Sequence, residues 1–164
     1  MPEFKMTGKD SPEFAALDDF TQAYIEAAFF TEEERLTEEM GEERPAVLIN
    51  AGTLESRFYK DSVPSFEMLA PETLAAMIAD CAKFQTDNDL TIRQALHKGQ
   101  GTIRLMDNDH ARAGADFWFT RNGHGCGFWD GDWPEPYATE LDNAAKTFGE
   151  VYLHVGDDGL IYTS

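Results

Sequence analysis

Apolar positions along this chain recur with a helical period in its first part and an extended period in its last third. Ser11-Pro12-Glu13 has the form of a helix start: a capping residue, a proline at the first helical position, then an acid. Phe14, Leu17, Tyr24 and Ala28 follow at mostly helical spacing, which predicts a helix over 12–30. Thr31-x-x-Glu34 reads as a capping box opening a second, short helix that Gly41 ends. Residues 44–70 read as a long connection holding one short strand, AVLIN. A connection of that length is unusual inside a compact domain and is often functional. Pro71 opens the clearest helix, with Leu74, Met77, Ile78, Cys81 and Phe84 forming one apolar stripe. Asp87-Asn88-Asp89 is expected to break the chain before a further helix over 89–98 that stops at Gly99. GTIRLM, residues 101–106, is strand-like.

From residue 115 the pattern alternates. ADFWFTR and GHGCGFWD read as strands joined at Asn122-Gly123, because Asn-Gly is the preferred type I′ hairpin turn. PYATELDNAAKTFG places Leu141, Ala144, Ala145 and Phe148 on one helical face, with Gly149 as the stop. EVYLHV and GLIYTS form a second hairpin around Gly156-Asp157-Asp158-Gly159. The expected class is α+β, with N-terminal helices packed on a C-terminal antiparallel sheet of about four strands (two hairpins) and a crossing helix. The expected organisation is one domain over 1–164. It comprises an acidic helical segment at 11–43, the connection at 44–70, helices at 71–99 and hairpin-helix-hairpin at 115–164.

Composition bounds the setting. A chain of 164 residues with 42% hydrophobic content buries a core without disulfides or metals. Two cysteines are too few for a disulfide framework, and a reduced, intracellular compartment is the default. The N-terminus lacks an apolar signal core, and no apolar run has membrane-spanning length.

Charge changes the picture most. The net charge is −18, distributed as −10 over residues 1–43, zero over 44–106 and −8 over 107–164. Solubility alone calls for a magnitude of roughly 2–8. Such a chain repels nucleic acid and anionic membrane and attracts basic surfaces. Seven acids are concentrated at Glu32, Glu33, Glu34, Glu38, Glu39, Glu42 and Glu43, with Asp130 and Asp132 as a second group. They are the expected partner-binding residues.

Under the hairpin reading, Phe117, Phe119, Cys126 and Phe128 share a core face, with Arg121 and His124 at the tip. Asp116, Trp118, Thr120 and Trp129 share the other face, over Gly125 and Gly127. That second face reads as aromatic cover for strand glycines or as a shallow platform for a ring or a partner. Trp129 or Trp133 is the expected aromatic anchor. His124 and Cys126, two apart on one strand in acidic surroundings, do not make a nucleophile pair. The histidines and cysteines lack zinc-site spacing. Asp130-Gly131-Asp132 and Gly156-Asp157-Asp158 fit turns better than phosphotransfer or polymerase motifs. No catalytic residue, metal or cofactor is expected.

The stretches DFWFTRNGHGCGFWD (116–130) and VYLHVGDDGLIY (151–162) resemble the DFWxTRNGHGxGFWD and VGDDGxxY motifs of small acidic bacteriophage-encoded proteins of unknown function. The likeness is good over 115–163, loose over 71–84 and absent over 1–70. It implies a phage or mobile-element origin and the host cytoplasm, and it transfers no activity. Together these features lead to an accessory protein that is not an enzyme and acts by protein–protein binding. Its concrete form is a DNA mimic that inhibits a host nucleic-acid-binding or defence protein, of the anti-restriction or anti-CRISPR type. The alternative is a small-molecule or nucleotide-binding module using the Trp118/Trp129 face and Arg121. Neither involves direct nucleic-acid or membrane binding.

Overall fold

A computed structural model describes residues 11–41, 47–49, 53–55, 64–98 and 109–164. The described residues form helices α1 (Pro12–Ala15), α2 (Asp19–Gly41), α3 (Pro71–Lys98), α4 (Asp109–Arg121) and α5 (Tyr137–Lys146). Strands β1 (Val47–Ile49) and β2 (Thr53–Glu55) pair antiparallel, as do β3 (Leu153–Val155) and β4 (Ile161–Thr163). The class is α+β, but the expected four-stranded sheet is replaced by two separate two-stranded ones. No helix among the described residues is long and apolar enough to cross a membrane.

The expected helix over 12–30 is instead two. The chain turns at residues 16–18, where the Asp18 carboxylate accepts the N–H of Thr21 at 2.8 Å and caps α2. Such a cap stabilises a helix by about 1 kcal/mol. The Gln22 amide donates to the Phe14 and Leu17 carbonyls and closes the corner. Thr31 does not open a second helix. It lies inside α2, its hydroxyl turned back to the Ala27 and Ala28 carbonyls. The break expected at residues 87–89 is also absent, and α3 runs through it. Asn88 bonds the Phe84 carbonyl one turn back instead of redirecting the chain. Met77, Cys81 and Phe84 face the core as expected, whereas Ile78 is exposed. AVLIN contains β1, whose partner β2 falls within what read as connection. Gly99 and GTIRLM lie outside the described residues.

The largest correction concerns residues 115–121, expected as a strand. They form the second half of α4, and residues 113–121 are buried throughout. Asn122-Gly123 ends this helix instead of turning a hairpin. Gly123 takes φ 68°, its N–H bonds the Thr120 carbonyl, and the His124 N–H bonds the Phe119 carbonyl. That is the two-bond Schellman stop, and the Phe119 and His124 rings meet across it. Gly114 sets the approach of α4 to α2, since a Cβ there would lie 2.0 Å from the Phe20 carbonyl oxygen.

Aromatic rings link the layers. Phe84 of α3 stacks on Phe117 of α4 at 4.3 Å and on Phe128 of the following loop at 5.8 Å. Tyr24 of α2 meets Phe117 and, edge-on, Trp118. α5 and the β3–β4 hairpin match their expected positions, with Leu141, Ala145, Leu153, Val155 and Ile161 in the core. Gly149 and Gly159 take positive φ after α5 and in the hairpin turn.

Candidate interaction surface

α2 turns Phe30, Glu33, Glu34, Thr37 and Glu38 outward around a shallow depression of about 480 Å³. Phe30 is 40% exposed there. Two other acids of the expected set are otherwise engaged. Glu32 pairs with Arg35, and burial pushes its carboxyl above the usual range despite that cation. Glu39 accepts the Val155 N–H at 3.0 Å, while Arg35 donates to the Leu153 carbonyl at 2.5 Å. Arg35 and Glu39, one turn apart, thus satisfy the outward edge of β3 as a further strand would. The opposite side of the hairpin is met by Ala70, whose N–H bonds the Ile161 carbonyl at 3.0 Å. Glu42 and Glu43 lie outside the described residues.

Among the described residues, the Lys and Arg charges are committed internally. Arg35, Lys83, Arg93, Arg112, Arg121 and Lys146 each pair with an acid of the chain itself. These are all the Lys and Arg residues whose side chains are described. Glu33, Glu34 and Glu38 make no such pair among the described residues.

The loop after α4 does not form the expected platform. Trp118 is fully buried and donates to the Thr31 hydroxyl at 2.8 Å. Arg121 is 4% exposed, not at a tip. Its guanidinium donates to Asp80, the Tyr24 hydroxyl and the Phe148 and Gly149 carbonyls, and it lies against the Phe117 and Phe148 rings. Trp133 is buried too, donating to the Asp116 carboxylate at 2.6 Å. The ring-binding face assigned to Trp118 and Arg121 is therefore not at the surface. Trp129 remains outside, 55% exposed. Its loop is pinned by the Phe128 N–H on the Thr120 hydroxyl and by Asp130, which accepts from the Gly127 and Asp132 N–H groups. Asp132 pairs with Arg112. Asp130 and Asp132 thus stay exposed but serve the loop's own geometry.

Asp116 is a buried acid that the sequence reading placed on the platform. It is 4% exposed, and burial pushes its carboxyl up to about 6, against the hydrogen bond from Trp133 and the charge of Arg112. Arg112 Nε lies 3.7 Å from it without a hydrogen bond. The signal in the sequence was a lone acid in an apolar run. Burial lowers the His124 imidazole, and its Nε2 has no hydrogen-bond partner among the described residues. Burial raises the Cys126 thiol, with the Asp116 and Asp130 carboxylates adding to the effect. Burial raises the Cys81 thiol strongly. Neither thiol is in the electropositive setting that makes a nucleophile. Among the described residues no group of three or more His, Cys, Asp or Glu side chains is placed to hold a metal ion. The depression on α2 does not reach Asp116. Comparison with protein-family models, curated proteins and solved structures gave no significant match.

Proposed function

We propose that this protein acts by binding a partner protein that has a basic groove, with α2 as the docking face. The observation that carries the reading is the contrast in pairing. Each described Lys and Arg is held by an acid of the chain, while Glu33, Glu34 and Glu38, around an exposed Phe30, pair with none of those cations. Glu33 to Glu38 is five residue steps, about 7.5 Å along the helix axis, so the three carboxylates span about the length that three charges occupy along a DNA strand at roughly 3.4 Å each. Carboxylates so spaced stand in for phosphates, and a groove that docks them releases its bound anions. The concrete form is a DNA mimic that blocks a host nucleic-acid-binding or defence protein, of the anti-restriction or anti-CRISPR type. The likeness of its two motifs to phage proteins suits that setting in the bacterial cytoplasm. Trp129, held out by a pinned loop, supplies the aromatic anchor that charge alone lacks.

The test is retention of bacterial lysate proteins on the immobilised full chain at about 0.1 M and about 0.5 M salt, with duplex DNA as competitor. Nucleic-acid-binding proteins are expected to be retained at low salt. Salt and DNA release them, and the E33Q/E34Q/E38Q variant loses them. Retention that survives both high salt and the triple substitution refutes charge mimicry.

A further inference from the structure

From the outward face of α3 we infer a homodimer interface, in which two copies of this chain pack antiparallel across a two-fold axis near residue 84. Two of the large apolar side chains exposed among the described residues lie on this helix, Ile78 at 37% and Leu90 at 60%. They end one i, i+4 row, Ile78, Ala82, Thr86 and Leu90, that is exposed throughout. The neighbouring row, Ala75, Ala79, Lys83 and Asp87, is exposed as well. Ala75, Ile78, Ala79 and Ala82 stand at i, i+3, i+4 and i+7, the positions that enclose a hole for one side chain of a facing helix. Three of the four are alanines, which leaves the hole open. Leu90 is the knob that fits it, about 18 Å along the axis from Ile78. A hole and its knob on one face are what an isologous two-fold contact requires. Rotation about residue 84 puts Leu90 of each copy into the hole of the other and brings Ala82 against Thr86. Such i, i+4 rows of two helices interdigitate in the commonest helix-pair geometry, with axes crossing at about −50°.

Charge selects where two copies can meet. Each carries −18, so acidic faces of two copies repel. The α3 face escapes that repulsion. Lys83 pairs with Asp87 on one flank of the exposed row and Arg93 with Asp89 on the other, and the row itself is uncharged. The same rotation brings Lys83 of each copy beside Asp87 of the other, so each ammonium sits between two carboxylates. A foreign helix would have to reproduce both the spacing of knob and hole and this order of charges, whereas a second copy does so by symmetry. The inference uses no residue of α2 and goes beyond the proposed function.

The test is sedimentation equilibrium of the full chain from micromolar to near-millimolar concentration, at about 0.05 M and about 0.5 M salt. The mean mass is expected to rise with concentration from 18.4 kDa toward twice that value. Salt is expected to strengthen the association, because it screens the repulsion between two copies at −18. Leu90→Asp removes both knobs at about tenfold each, so it is expected to weaken the dimer about 100-fold. Leu90 is exposed, and an unchanged circular dichroism spectrum checks that the fold is kept. Ala79→Leu fills the hole without adding charge and is expected to weaken the dimer as well. K83D is expected to weaken it, and K83D/D87K to restore it. A chain that stays monomeric at every concentration overturns the inference, as does a dimer that survives either Leu90→Asp or Ala79→Leu. A dimer that K83D weakens and K83D/D87K does not restore overturns the antiparallel register.

Discussion

Replacing Asp116 by Asn tests whether burial or ion pairing governs the junction between α4 and the loop after it. The carboxyl ionises at about 6 in the folded chain and near its ordinary 3.8 when unfolded. Between those values the folded state keeps a proton that the unfolded state has lost. Asp116 therefore costs nothing below about pH 4, and its cost grows as pH rises toward 6. A gap of about two units comes to roughly 3 kcal/mol once both states are ionised. Roughly half of that, about 1.5 kcal/mol, accrues between pH 5 and pH 7.5. Asn keeps the oxygen that accepts from Trp133 and removes the buried charge, while Arg112 retains Asp132. Whatever Asn costs in packing is the same at both pH values. The measurement is urea unfolding of both proteins at pH 5 and pH 7.5. The variant is expected to gain about 1.5 kcal/mol on the natural chain between the two. A stability difference that does not move with pH refutes the reasoning and makes Asp116 an ordinary ionised partner of Arg112. The same result would follow if carboxyl NMR found Asp116 titrating below pH 4.

Other substitutions read the rest of the geometry. Arg121→Lys keeps the charge but not the planar fork, leaving the Tyr24 hydroxyl and the Phe148 and Gly149 carbonyls short of donors. Urea unfolding is expected to show a loss of about 2–4 kcal/mol, whereas a loss under about 0.5 kcal/mol would place Arg121 at the surface. Of the three tryptophans only Trp129 is exposed, so Trp129→Phe is expected to remove most acrylamide-quenchable fluorescence. An unchanged quenching slope would mean that Trp118 or Trp133 reaches solvent.

What the sequence made legible follows from how many faces of an element touch water. α5 has one dry face, so Leu141 and Ala145 announced it, and β3 and β4 bury one face on either side of a Gly-Asp-Asp-Gly turn. α4 has no wet face between residues 113 and 121, so no helical period survives there. Its Phe, Trp and Thr content then favoured a strand. Asn-Gly did not arbitrate, because a type I′ turn and a helix stop both call for positive φ at the glycine. Ala113, Gly114 and Ala115 were the better guide. Small residues allow the close helix approach at Phe20 and would fill a strand face poorly.

The acidic surface shows a different limit. Glu38 and Glu39 are neighbours of one residue type, and nothing local distinguishes them. Glu39 is bound to the Val155 N–H, 116 positions away, while Glu38 borders the open depression. Asp130 and Asp132 are likewise engaged in holding the loop that presents Trp129. A count of acids measures the attraction to a basic partner, but docking depends on which of them have no partner within the fold. Among the described residues of the expected set, that requirement leaves Glu33, Glu34 and Glu38. It is also why neutralising those three is the sharper experiment than neutralising the whole segment, which would release β3 from α2 as well.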